Sequence, residues 1–126
     1  MNKVIDKEYA PTMTIDIKNI QVKVNNEIIQ LNIWDCCGSD KFAQECKNLF
    51  KNVSIAILVY AINDKKSYEM LETWYNILKD HSYDNIIFLI GNKDDLEKKE
   101  REVKIEEGEK FKSNYADIKM FLRLQP

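Results

Sequence analysis

The six residues Gly91-Asn92-Lys93-Asp94-Asp95-Leu96 place an amide, an amine and two carboxylates directly after an apolar run ending at Ile90. A carboxylate at Asp95 suits the N1–H and 2-amino edge of guanine. Adenine lacks that pair of donors, so the contact discriminates between the bases. A charged loop of this composition also arises by chance, as a plain solvated turn. Trp34-Asp35-Cys36-Cys37-Gly38 closes a second apolar run. An aspartate there suits Mg²⁺ held through water, and a glycine lets its backbone N–H approach a terminal phosphate. Asp-x-x-Gly alone is a weak signal and is often only the turn that follows a strand. Pro11-Thr12, ahead of that run, offers either a hydroxyl ligand for Mg²⁺ or an ordinary turn residue. In open α/β sheets ligands bind at the C-terminal ends of strands, which is where the first two segments fall.

Other reactive side chains carry less. Cys36, Cys37 and Cys46 are an odd count in a chain without a signal peptide, which argues against a disulfide scaffold. Adjacent cysteines are poorly placed to ligate one zinc ion together, and His81 alone cannot complete a ligand quartet. The thiols read as reduced side chains in or near the core, and His81 as a residue without a chemical role.

The elements that must position these residues follow from hydrophobic patterning. From Thr14 to Trp34 the sequence reads as a hairpin: Ile20, Val22 and Val24 alternate with polar residues, as do Ile29, Leu31 and Ile33, around Asn25-Asn26. Ile15 and Ile17 fall on the opposite parity, which a bulge near Lys18-Asn19 would reconcile. Ser54 to Tyr60 and Ile86 to Ile90 are unbroken apolar strands, the pattern of parallel strands buried on both faces. Between them Asp64 is placed to cap a helix whose apolar face is Leu71, Trp74, Tyr75 and Leu78. Phe42 to Phe50 and Ile105 to Phe111 read as further helices, Ile118 to Leu122 as a last strand, and Asp94 to Arg101 as a solvated connection. A hairpin followed by alternating helices and strands is an α/β layered fold.

Bulk properties set the class. Of 126 residues, 44% are apolar and 32% charged, which suits one soluble globular domain and not a disordered chain. A net charge of −2 gives no bulk attraction to nucleic acid or to an anionic membrane. The longest apolar run, Ile55 to Ile62, is far below the roughly 18 residues of a membrane span. Met1 to Lys7 holds no apolar signal region, so the chain reads as cytoplasmic.

In order along the chain, these segments resemble the Ras superfamily of small GTPases, and its Rab branch most closely. Pro11-Thr12-Met13-Thr14-Ile15-Asp16-Ile17 is similar to that branch's switch I. Gln30-Leu31-Asn32-Ile33-Trp34 running into Asp35-Cys36-Cys37-Gly38 is similar to the strand leading into switch II. Gly91 to Leu96 matches the guanine motif. Lys41-Phe42, Ser67-Tyr68 and Arg101-Glu102-Val103 before Glu106-Glu107-Gly108 extend the resemblance from about Thr12 to Phe121. It implies GTP/GDP and Mg²⁺ as cofactors, vesicle trafficking as the setting, and Rab-type effectors or regulators as partners. Thr12 and Asp35 would serve Mg²⁺, Gly38 would sense the γ-phosphate, Asn92 and Asp95 would fix guanine, and Lys93 would pack along base and ribose. The effector surface would comprise Ile17, Trp34 and Leu49.

The departures from that pattern are as informative. Gly38, Gly91 and Gly108 are the only glycines, and none begins a G-x-x-x-x-G-K-[ST] phosphate loop. The expected fold is therefore an incomplete P-loop NTPase domain over residues 1–126. Its first strand is missing, and two apolar strand edges are left unpaired unless they pair with each other. Without the loop's N–H nest and lysine, nucleotide binding is expected to be weak. Ser39 stands where the family has a water-orienting glutamine, so hydrolysis is expected to be slow and no catalytic residue is assigned. Arg123-Leu124-Gln125-Pro126 replaces the Ser-Ala-Lys guanine loop, and no C-terminal prenylation cysteine follows, which implies no lipid anchor. The alternative reading is a nucleotide-independent effector-binding module, or a truncated product without function.

Overall fold

The computed structural model describes residues 15–39, 42–43, 46–82, 84–95 and 98–124. Thr12 and the rest of the Pro11–Thr14 segment lie outside the described residues, as does Leu96. The chain divides into two compact units, Met1–Cys46 and Lys47–Pro126.

The first unit is built on a hairpin. Strands β1 (Ile15–Val24) and β2 (Glu27–Cys36) pair antiparallel. Asn25 and Asn26 both take positive φ, 49° and 68°, as a two-residue turn matched to strand twist requires. The register runs unbroken from Ile15↔Cys36 to Val24↔Glu27, so the expected bulge near Lys18-Asn19 is absent. The two apolar parities are resolved differently: they occupy opposite faces. Ile20 and Val22 share one face with Ile29, Leu31 and Ile33, while Ile15 and Ile17 share the other with Trp34 and Cys36.

The second unit is a parallel sheet with helices. A 3₁₀ helix (Cys46–Asn52) leads to β3 (Ile55–Ala61), then α1 (Lys65–Glu69), α2 (Leu71–His81) and β4 (Ile86–Asn92). A 3₁₀ turn (Lys98–Glu100), α3 (Ile105–Asn114) and β5 (Ile118–Arg123) complete it. The strand order is β3-β4-β5, all parallel, with a register shift between Ile87 and Phe88. Within this unit the ladder pairs of β3 and β5 are both with β4. Asp64 caps α1 as expected, its carboxylate accepting from the Ser67 N–H at 3.1 Å. The apolar helix stripe also forms. Leu71 and Leu78 are buried, and Trp74 and Tyr75 pack half-buried on the same core.

One expectation fails in this sheet. The strands are buried on one face only. Leu58, Tyr60, Ile87, Leu89 and Ile118 pack with Leu71, Leu78, Val103 and Phe111 into a single core. Ile57 and Val59, one residue out of phase with Leu58 and Tyr60, remain 55% and 53% exposed. Ile55, Ile86, Met120 and Leu122 are exposed as well. The physical reason is that α1, α2 and α3 all contribute to that one core, so the alternate side chains are less covered: those of β3 are exposed, and Phe88 and Ile90 of β4 are half-buried.

Candidate functional site

The C-terminal ends of β3 and β4 are locked into a hydrogen-bonded rim. The Ile62 N–H donates to the Asn92 carbonyl at 3.1 Å, and the Ile62 carbonyl accepts from the N–H groups of Glu102 and Val103, both at 2.9 Å. Glu102 also accepts from the Lys65 N–H at 2.9 Å, tying the start of α1 to the segment that leads into α3. Behind this rim the Tyr60 ring is inserted between β4 and α3. It stacks on Phe121 and meets Tyr68 edge-on, and burial pushes its hydroxyl pKa up to about 12. Gly91 and Gly108 leave room for it. A Cβ on Gly108 would lie 2.5 Å from Phe121 Cζ and 2.6 Å from Tyr60 Oη. Close helix–sheet packing is thus what seats α3 under the rim. The pair Lys65–Glu107 adds to it. The hydrogen bond from Lys65 and then that from the Lys104 N–H hold the Glu107 carboxyl below its usual range.

From this rim springs the loop that holds three sequence-predicted site residues together: Asn92, Lys93 and Asp95. Lys93 has φ 65°, and its N–H donates to Asn92 Oδ1 at 2.8 Å. Asn92, Lys93 and Asp95 are exposed, and Asp95 makes no hydrogen bond or ion pair with the described residues. Asp94 behaves in the opposite way. Its carboxylate accepts from Arg101, Arg123 lies 3.9 Å away, and only 11% of its side chain is accessible. Its N–H donates to the Leu124 carbonyl at 3.1 Å. The reading of Asp94 to Arg101 as merely solvated therefore missed a pairing. The two residues are seven apart on a segment whose one described element is the 3₁₀ turn Lys98–Glu100, so the fold and not a continuous helix brings them together. Beside the loop a groove of about 480 Å³ opens, lined by Asp94, Ile105, Glu109, Phe121, Leu122 and Arg123. Asn92 and Asp95 lie outside its lining.

The remaining site residues are placed in their own units. Asp35 is exposed near the end of β2, across from Asp16, which pairs with Lys18 at 3.4 Å. Gly38 is exposed, and a Cβ there would meet nothing within 4 Å. Ser39 is engaged as a cap: its carbonyl accepts from the N–H groups of Phe42 and Ala43 at 3.1 Å, and its Oγ from Phe42 at 3.4 Å. Ile17 and Trp34 are direct cross-strand partners on one hairpin face, 52% and 47% exposed. Leu49 belongs to the second unit and is half-buried there. Cys36 and Cys37 are partly exposed cysteines. The His81 Nδ1–H donates to the Ile77 carbonyl, 2.9 Å away, within α2. Among the described residues no group of three or more His, Cys, Asp or Glu side chains is arranged to hold a metal ion.

A parallel sheet carrying an exposed amide and carboxylate on the loop after β4 is the setting expected of the guanine motif. The sequence model of the Ras family matches residues 1–122. The chain belongs to the Ras family. It is a small GTPase by family, and the family's shared properties are guanine-nucleotide binding, a switch role, and action through regulators and effectors. The α/β architecture agrees with a partial small-GTPase fold. Asn92 and Asp95 are both exposed beside the hydrogen-bonded rim. No described helix is long and apolar enough to cross a membrane.

Proposed function

We propose that this Ras-family chain is a Rab-like switch protein that reads guanine through Asp95, with Asn92 and Lys93 beside it on the same loop. The observation that carries the reading is the contrast between two adjacent carboxylates. Asp94 is spent on Arg101, while Asp95 stays exposed at the C-terminal end of β4. An unpaired carboxylate on a fixed loop is the acceptor that the N1–H and 2-amino donors of guanine require. Lys93, next in the same segment at positive φ, would flank the base and ribose.

Phosphate and Mg²⁺ contacts fall to Thr12, Asp35 and Gly38. When bound, Mg²⁺ would neutralise charge between the phosphate oxygens. Asp35 contributes an exposed carboxylate, and Gly38 an unobstructed backbone. The 126 residues contain no G-x-x-x-x-G-K-[ST] sequence, so within them the base contacts dominate affinity and binding is weak. Hydrolysis is slow for a separate reason. The Ser39 side chain is short and already caps the turn at 42–43. Effector recognition of the Rab type would use Ile17 and Trp34, paired on one hairpin face.

The direct test is the base itself. Asp95→Asn exchanges the acceptor for a side chain that offers both a donor and an acceptor, which complements the additional carbonyl of xanthine. The variant is expected to bind xanthosine diphosphate at least tenfold better than GDP, with the preference reversed in the parent chain. Equal affinities for the two nucleotides in both proteins would remove Asp95 from the site.

A further inference from the structure

The base-reading loop is short, and its backbone is not in a relaxed state. Lys93, a residue with a Cβ, sits in the left-handed region at φ 65°. Such conformations persist when the surroundings over-determine them. The constraints converge on one residue, Asp94. Its Oδ1 accepts from the Arg101 guanidinium, and Arg101 is itself largely enclosed and donates to the Val103 carbonyl at 3.1 Å. Arg123 Nη1 stands 3.9 Å from Asp94 Oδ2. The Asp94 N–H is held by the Leu124 carbonyl, and the Leu124 N–H in turn donates to the Gly91 carbonyl at 3.0 Å. Asp94 is thereby tied to the segment leading into α3 through its side chain, and to the end of β5 through its backbone.

We infer that the Asp94–Arg101 ion pair is a positioning element for guanine recognition, fixing the loop so that Asn92 and Asp95 present their side chains in one orientation. The inference deepens the proposed function and rests on its assignment of Asp95. Two consequences distinguish it from a plain stabilising pair. The first concerns affinity: if the loop must be ordered at the moment of binding, the nucleotide loses affinity without the sheet losing order. The second concerns selectivity. Asp95 makes two parallel hydrogen bonds to guanine only when its carboxylate is held at a fixed angle to the base, and the second of them goes to the 2-amino group. Inosine diphosphate lacks that group. Releasing the loop therefore weakens GDP more than it weakens inosine diphosphate, whereas general destabilisation weakens both alike. Arg101 and Asp94 never touch the base in this account.

The experiment compares the full chain with Asp94→Asn and Arg101→Lys by calorimetric titration of GDP, inosine diphosphate and ADP. Amide hydrogen exchange of the nucleotide-free proteins is read alongside. Lysine keeps the charge and loses the planar two-pronged donor, so Arg101→Lys is the milder change. Expected are a GDP Kd raised at least tenfold in Asp94→Asn and less in Arg101→Lys, and a GDP-to-inosine preference reduced in the same order. Faster exchange should be confined to the loop after β4. A GDP Kd and base preference within twofold of the parent in either folded variant would overturn the positioning role. If Asp94→Asn does not fold, Arg101→Lys decides by the same criterion. A parent chain that binds GDP and ADP equally would instead overturn the guanine reading on which the inference stands.

Discussion

Asp117, in the turn before β5, shows how single contacts set the behaviour of this protein with pH. Its carboxylate is 2.8 Å from Lys79 Nζ and accepts from the Tyr75 hydroxyl at 2.7 Å. Burial alone would raise its pKa, but the hydrogen bonds from Lys79 and Tyr75 outweigh burial and hold the carboxyl below its ordinary range. Tyr75 is pushed up to about 12, first by burial and then by the same carboxylate. The signs follow from linkage. Asp117 has a lower pKa folded than unfolded, so its contribution is full above about pH 4 and is lost as pH falls through the folded value. Tyr75 has a higher pKa folded, so its contribution is full below about pH 10 and fades as pH rises towards 12. Asp117→Asn should cost about 1 kcal/mol at neutral pH. It should also flatten the acid limb of stability between pH 5 and 2, read by urea unfolding at several pH values; an acid limb as steep as the parent's would remove Asp117 from its cause. At this scale the amino-acid order was informative where chemistry is local. Asn92, Lys93 and Asp95 are named by their adjacency, and Asp64 by its position before a helix. Asp94–Arg101 and Tyr75–Asp117 were not legible, because each pair is made by the fold and not within one helix or strand.

At the scale of elements, α3 depends on one residue without a side chain. Alanine at position 108 would gain up to about 1 kcal/mol of helix propensity. Its Cβ would, however, meet Phe121 Cζ at 2.5 Å and Tyr60 Oη at 2.6 Å, atoms of two stacked rings held in and against the core. The overlap should win. Gly108→Ala is expected to destabilise the fold by roughly 1–3 kcal/mol, seen as a lower thermal midpoint, whereas a raised midpoint would show that α3 has slack. Elements with strong periodicity were readable before the structure: the hairpin with its Asn-Asn turn, the three parallel strands, and the apolar stripe of α2. Other features were not. The helix after Asp64 divides at Met70 into α1 and α2, and the hairpin keeps its register by placing Ile15 and Ile17 opposite Ile20 and Val22. Parity along a strand records which residues share a face. It does not record whether that face changes from apolar to polar part-way along.

For the molecule as a whole, the sheet of the second unit separates what strand sequences show from what covers them. Runs such as Ile55 to Tyr60 are apolar on both parities, which is the pattern of strands enclosed by helices on two sides. The described helices contribute to one core, and Ile55, Ile57, Val59, Ile86, Met120 and Leu122 stay exposed on the other face. Strand composition was therefore a sound guide to a parallel α/β sheet, and no guide to which layers accompany it. The Ras-family match over residues 1–122 accounts for that composition, since the sheet of this family is an α/β one. What the molecule is proposed to do rests on the rim where β3, β4 and the approach to α3 are tied together, and on the loop that this rim presents.

Thermal unfolding of the full chain with Mg²⁺, in GDP and separately in ADP, tests that claim most directly. A ligand that binds the native state alone raises the midpoint by mass action, and at ten times its Kd adds about 1.4 kcal/mol. For a domain of this size that corresponds to a shift of roughly 5 °C. A cooperative transition is expected that GDP raises, to that extent at sufficient concentration, and that ADP at the same concentration leaves in place. A cooperative transition that GDP and ADP move equally, or that neither moves, would contradict recognition of guanine by this chain.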